Sequence, residues 1–245
     1  LQLKVMSQDD LEDLLNSISR PTPEEEAFFA KRRSLGLGVG LDAHGKMVYP
    51  KKLVFIDFEA SSLSPESWPI EVGLAWIEQQ GVVVESKLIQ PDPDWLLDDW
   101  SEKSATVHNI PFSALKMAEP AVDVARWLKE IVGDNILVSD APEFDRRWLD
   151  RLLATLGEPA RQIDDFDRIV RILFSQEDGV VAPGAIEQVY ETRAERPTTH
   201  RAGADAANMA HAYRSGLPRL SSPDFLEPMS EEDLQRREGG AEDNN

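Results

Sequence analysis

The chain has no cysteine among its 245 residues. That excludes disulfides and thiolate metal sites, and it fits a reducing, cytoplasmic setting. No apolar run comes near the ~18–20 residues that a membrane-spanning helix needs, so no membrane partner is expected. No basic segment leads into an apolar one near residue 1, so the start does not read as a secretory signal. Positive charge is also scarce: 26 Lys and Arg stand against 45 Asp and Glu, a formal net charge of −19. A generic nucleic-acid binder shows a basic surface, and this chain as a whole does not. Tight binding to a long duplex is disfavoured, because few cations are free to displace its counterions. Net charge speaks to solubility and long-range attraction, however, and a local groove can depart from the average.

What is present is enough apolar material for a core, 41% of the residues, arranged in three regions. Residues 1–50 read as a helical and flexible N-terminal extension. "QDDLEDLLNSI" places Leu11, Leu14, Leu15 and Ile18 at helical spacing. "RPTPEEEAFFAKRR" has acids in its first turn and bases in its last. "LGLGVGLDAHG" is glycine-punctuated, but its GxGxG spacing without a preceding strand does not make a dinucleotide fingerprint. Residues 51–217 read as the folded domain. "KLVFIDFEA", "PIEVGLAWIE" and "GVVVESKLIQ" are strands, the last two joined by a turn at "QQG". "EPAVDVARWLKEIVG" is helical, with Val122, Ala125, Trp127, Leu128 and Ile131 as its apolar set. "NILVSD" is a strand and "PEFDRRWLDRLLATLG" a helix with proline at its start and glycine at its end. "ARQIDDFD" holds a fifth strand, and helical segments follow at 166–176, 184–195 and 203–215. Hairpin-linked strands followed by alternating strands and helices argue for an α/β fold, a mixed sheet flanked by helices. From 218 to 245 the chain is acidic, with eight acids against Arg219, Arg236 and Arg237, and is expected to be a disordered tail.

The acids inside the domain are less easily dismissed. In a strand, side chains alternate faces. Leu53, Phe55, Asp57 and Glu59 therefore share one face, and Val54, Ile56, Phe58 and Ala60 the other. Two carboxylates continuing an apolar face are either hydrated acids at a strand end that reaches solvent, or ligands of a divalent cation. Asp145 falls in the first turn of a helix, where the helix dipole alone can favour an acid. Asp140 and Glu143 compete with it on chemistry. In "TTHRAGADAAN" a helix starting near Ala202 puts Asp205 on one face with Met209 and Ala212. Its small residues Gly203, Ala204, Ala206 and Ala207 permit close approach to a sheet. His200 stands just before that helix. Arg146, Arg147, Arg193, Arg196 and Arg201 are the candidates for a local positive groove, with Arg201 preferred among them for substrate contact.

Taken together, "DFE" at 57–59, the "FD" ending at Asp145 and "HRAGAD" at 200–205 resemble the three motifs of the DEDDh 3′→5′ exonucleases. That family belongs to the ribonuclease H-like superfamily. The histidine five places before the last aspartate selects the branch. The sister group has a tyrosine four places before it, where this chain has Arg201. "PIEVGLAWI" resembles the family's second strand, and "ATVHNIPFSAL" its "HGI" loop. One departure is local: many members carry "HNA" where this chain has Ser139, Asp140 and Ala141.

The resemblance implies a ribonuclease H-like mixed five-stranded sheet flanked by helices. It implies two Mg²⁺ or Mn²⁺ ions, with Asp57, Glu59 and Asp205 on one, Asp57 shared with the second, and Asp145 completing the site. His200 would act as general base, a role that an imidazole suits near neutral pH. Backbone amides near Ala60, Ser61 and Ser62 would meet the terminal ribose, Leu63 would wedge against the base, and His108 would line the nucleotide pocket. The implied activity is hydrolysis of single-stranded DNA or RNA from the 3′ end to nucleoside 5′-monophosphates. A catalytically silent nucleic-acid-binding or regulatory module on the same fold is the alternative, and an endonuclease or strand-transfer enzyme is a third reading.

Overall fold

The computed structural model describes residues 51–217 except 79–80, 160, 177–178 and 181–183, together with 30, 40–41 and 47–48. The helix expected near 8–18, that near 20–33 apart from residue 30, and the tail from 218 lie outside the described residues. In the N-terminal segment a two-residue antiparallel ladder joins Gly40–Leu41 to Met47–Val48.

The domain is built on one six-stranded sheet. Its strands are β1 (Leu53–Ala60), β2 (Pro69–Glu78), β3 (Gly81–Gln90), β4 (Glu119–Pro120), β5 (Ile136–Ser139) and β6 (Ile163–Asp165). The spatial order is β4-β3-β2-β1-β5-β6. β1, β2 and β3 pair antiparallel, whereas β5 and β6 run parallel to β1. This is a mixed α/β arrangement, a mixed sheet flanked by helices, as the order of elements along the sequence indicates. The five expected strands are present, and β4 adds a sixth, parallel to β3 at the edge.

Seven helices of the domain are described: α1 (Glu102–His108), α2 (Phe112–Leu115), α3 (Ala121–Val132), α4 (Pro142–Ala154), α5 (Phe166–Phe174), α6 (Ala185–Ala194) and α7 (Ala202–Ser215). α1 and α2 were not expected. The signal for α1 is a cap rather than a period: Ser101 accepts the Ser104 N–H, and Asn109 ends the helix in the left-handed region at φ 55°.

The alternation read along β1 is the alternation that packs. Leu53 and Phe55 enter one core with α5, α6 and α7. Val54, Ile56, Phe58 and Ala60 enter another with α3 and α4. α3 is turned slightly from its expected face: Val124, Ala125, Leu128 and Val132 are buried, and Trp127 and Ile131 only partly. The apolar arc of this helix is broad, and Trp127 and Ile131 lie at its margin while Leu128 and Val132 lie at its centre.

α7 sits unusually close to the sheet. A Cβ added at Gly73 on β2 would lie 2.1 Å from the carbonyl carbon of Ala202, at the first turn of α7. A Cβ at Gly203 would meet the Ser86 side chain at 2.9 Å. The approach therefore needs glycine on both surfaces, which the small-residue run in the α7 sequence anticipates for the helix alone. Among the described residues, no helix is long and apolar enough to cross a membrane.

Gly73→Ala should lower the unfolding free energy by about 1–3 kcal/mol, the usual cost of overpacking a tight core. Gly81→Ala, whose added carbon would meet nothing nearer than 3.7 Å, should be close to neutral. Chemical denaturation of both variants checks this; equal losses would contradict the close packing of α7.

Candidate active site

Three separated stretches deliver acids to one cleft. β1 is paired on both sides, and its register against β2 shifts between Glu59 and Ala60. Asp57 and Glu59 are half-buried on the face that α7 covers. Asp145 comes from the first turn of α4 and is 1% exposed. Its carboxylate accepts from the Ser139 hydroxyl, which in turn accepts the Ala141 N–H at 2.9 Å. The departure from "HNA" thus has a direct local consequence: Ser139 holds Asp145. Asp205 comes from the first turn of α7 and accepts the Thr199 N–H at 2.9 Å. His200 lies between them, exposed, with φ 54°.

Ligand atoms of Glu59, His200 and Asp205 lie within 4.8 Å of one another, and those of Asp57, Asp140 and Asp145 form a second such group. Asp140, weighed on sequence only as a rival to Asp145, stands beside it. Both groups line one cleft of about 390 Å³, together with Leu63, Phe144, Arg193 and Arg196. Arg193 reaches across the cleft to Asp140 and stacks over the Phe166 ring.

The charges are poorly compensated. Burial first, and then Asp145, Glu59, Asp140 and Asp205, drive the Asp57 carboxyl well above the ordinary carboxylate range. Burial, then Asp205 and Glu71, push Glu59 up to about 8, against the pull of Arg201. Burial pushes Asp145 up to about 7, although the Ser139 hydroxyl works in the other direction. Of the nearby arginines, Arg201 is held by Glu71 outside the cleft, whereas Arg193 pairs with Asp140 at its wall. A partly buried, carboxylate-rich set of this kind fits a hard divalent cation such as Mg²⁺ or Mn²⁺.

The expected substrate contacts are placed less uniformly. Leu63 is 70% exposed and on the cleft wall. Ala60, Ser61 and Ser62 are buried beneath it. The Ser61 N–H is taken by the Trp68 carbonyl at 2.9 Å, and the Ser62 hydroxyl donates to Asp99 at 3.1 Å. Arg147 and Arg151 on α4 tie the same loop down through the Leu63 and Glu66 carbonyls. His108 is buried off the cleft, edge-on to Trp100, and its Nδ1 accepts the Ile110 N–H at 3.0 Å. Arg201 is turned to β2, where Glu71 holds it. Of the six tryptophans only Trp148 reaches the cleft, and its indole N–H is held by Ser67. Phe144, 41% exposed beside Asp145, was not singled out on sequence; its place one residue before an acid at a helix start was the available signal.

No family model matches the sequence, and no curated protein matches it. Among solved structures, the chain is similar to Escherichia coli exonuclease I. The zinc-bound form of that enzyme's complex with single-stranded DNA superposes with a TM-score of 0.48 at 15% identity, over 67% of this chain and 40% of that one. Its complex with a dA16 oligonucleotide gives 0.48 at 14% identity over the same shares. The chain thus spans about two-fifths of the length of these proteins.

The raised carboxyls set a pH dependence. A group titrating near 7–8 when folded and near 4 when unfolded makes the folded state bind more protons in between. Stability is therefore greatest at the acid side of this window and falls as pH rises through it. Without divalent cation, the melting temperature should drop from pH 5 to 8.5. Saturating Mn²⁺ should flatten that drop, because the cation replaces the protons. Thermal melts in EDTA and in Mn²⁺ test this. Parallel slopes would show that the acids do not bind the ion.

Proposed function

We propose that the chain is a metal-dependent 3′→5′ exonuclease of the DEDDh type, acting on short or single-stranded DNA or RNA and releasing nucleoside 5′-monophosphates. The observation that carries the reading is the convergence of Asp57, Glu59, Asp145, His200 and Asp205 from separate segments onto one cleft. An acidic metal-binding cluster alone would fit many proteins; the histidine poised over it, beside an open apolar residue, narrows the choice.

Asp57, Glu59, Asp145 and Asp205 would hold two Mg²⁺ or Mn²⁺ ions. Bound there, such ions supply neutralising charge at the phosphate and a more acidic water. The remaining work falls to the chain itself. His200 accepts a proton from the attacking water on an imidazole nitrogen. The water oxygen bonds to phosphorus, the P–O3′ bond breaks, and the leaving 3′ oxygen takes up a proton from solvent. Leu63, exposed on the cleft wall, packs against the terminal base and sets the depth to which a 3′ end enters. Ser62 and its Asp99 partner keep the loop beneath it rigid. Phe144 offers a second apolar surface on the side of Asp145.

The acidic chain as a whole supports short single strands over long duplexes, because little of its surface can displace counterions. The cleft is open to both riboses and deoxyriboses in this reading.

Two expectations follow. Asp57→Ala and Asp205→Ala should abolish hydrolysis while leaving the protein folded. His200→Ala should lower the rate by about 10²–10⁴-fold, the usual range for acid–base assistance, with metal binding retained. The assay uses 5′-labelled RNA and DNA, single and double stranded, with Mg²⁺, Mn²⁺ or EDTA. A ladder shortening from the 3′ end with mononucleotide release is the expected result. Internal fragments would favour an endonuclease, and binding without products the silent module.

A further inference from the structure

Glu71 lies on β2, on the face that α7 covers, and is 2% exposed. The strand register places it directly opposite Glu59. Like charges facing each other across a strand pair are destabilising, so a buried glutamate here needs a strong partner. It has three contacts. One carboxylate oxygen accepts from Arg201 Nη2 at 2.6 Å. The other accepts from Arg201 Nε at 3.0 Å and from the Ala202 backbone N–H at 3.0 Å.

The Ala202 contact supplies a helix cap from another strand. Arg201 is the N-cap residue of α7 and makes no side-chain cap bond of its own. Glu71 accepts one of the free N–H groups at that end, the task a capping side chain ordinarily performs. The fork contact fixes the direction of Arg201, since a guanidinium bound through two nitrogens cannot turn.

His200 immediately precedes these two residues, and it is one of two non-glycine residues with positive φ among those described. Its backbone is pinned on both sides: the Thr199 N–H donates to Asp205, and Arg201 and Ala202 are held by Glu71. A left-handed conformation at a non-glycine residue persists only where its surroundings impose it. The histidine side chain itself is exposed, so little packing holds it in place.

We infer that Glu71 is a positioning residue for His200: through Arg201 and the first turn of α7 it holds the histidine backbone in the left-handed conformation that aims the imidazole at Glu59 and Asp205. This rests on the nuclease reading above for its consequence in rate, though not for its structural content. Glu71 itself touches neither reacting atoms nor the cleft. Its second effect is to keep Arg201 turned toward β2, leaving the Glu59 carboxylate for other partners.

The test is a double-mutant cycle. Glu71→Gln retains an acceptor but loses the charge that binds the fork. It should lower kcat by about 10–100-fold, the range for residues that orient a functional group from outside it, with KM unchanged. In a His200→Ala background the same substitution should change kcat less than twofold. Equal losses in both backgrounds, or a rise in KM alone, would overturn the proposal. If Glu71→Gln does not fold, Arg201→Lys, which keeps the charge and loses the fork, takes its place in the cycle with the same expectations. A second readout is independent of activity: the His200 ring resonances in ¹⁵N-edited NMR should shift in the folded variant while those of His211 stay fixed. An unmoved His200 would contradict the clamp. A wild-type protein without hydrolytic activity would defeat the nuclease reading instead, and the NMR arm would still decide the role of Glu71.

Discussion

The structure turns on the gathering of like charge at the C-terminal end of β1. Three carboxyls, Asp57, Glu59 and Asp145, are pushed upward chiefly by burial and further by neighbouring acids, Asp140 in the case of Asp145. No fold places acids so without something that offsets their repulsion. Protons do so in part at low pH, and a divalent cation would do so at neutral pH. Other features of the domain serve this arrangement. Glycines at 73 and 203 let α7 come down on the sheet so that Asp205 reaches β1. Ser139 and the start of α4 bring Asp145 in from the other side.

The arginines around the cluster follow the same constraint. Arg193 is matched with Asp140, one acid of the group, and Arg201 with Glu71, which lies outside the cleft. A guanidinium directed at Glu59 or Asp57 would compete with a cation for those carboxylates. The loop carrying Leu63 is secured in a comparable way, through Asp99 below it and Arg147 and Arg151 from α4. The loop that carries Leu63 is thus held in place at the cleft wall.

Much of this was legible in the residues. The period-two pattern of 53–60 fixed which face of β1 carries Asp57 and Glu59, and the hairpin strands fall at 69–78 and 81–90 as their patterns indicate. The small residues of α7 announced its close approach. The missing parts share a cause. α1 is held by caps and not by an apolar period. Glu71 is read as one polar residue in a buried strand until the register sets it opposite Glu59 and beside Arg201, a partner 130 residues away. Asp140 could be separated from Asp145 only by three-dimensional position, and the structure gathers both. His108 and Arg201 have the right chemistry for substrate contact, but the packing of α1 and the fork to Glu71 take them off the cleft wall.

The most direct test of the central claim is anomalous diffraction from crystals grown with Mn²⁺. The account predicts strong manganese peaks between Asp57, Glu59, Asp145 and Asp205, lost in crystals of the Asp57→Ala, Asp205→Ala double variant. Manganese bound only at the outer acidic surface, with this cluster empty, would contradict it.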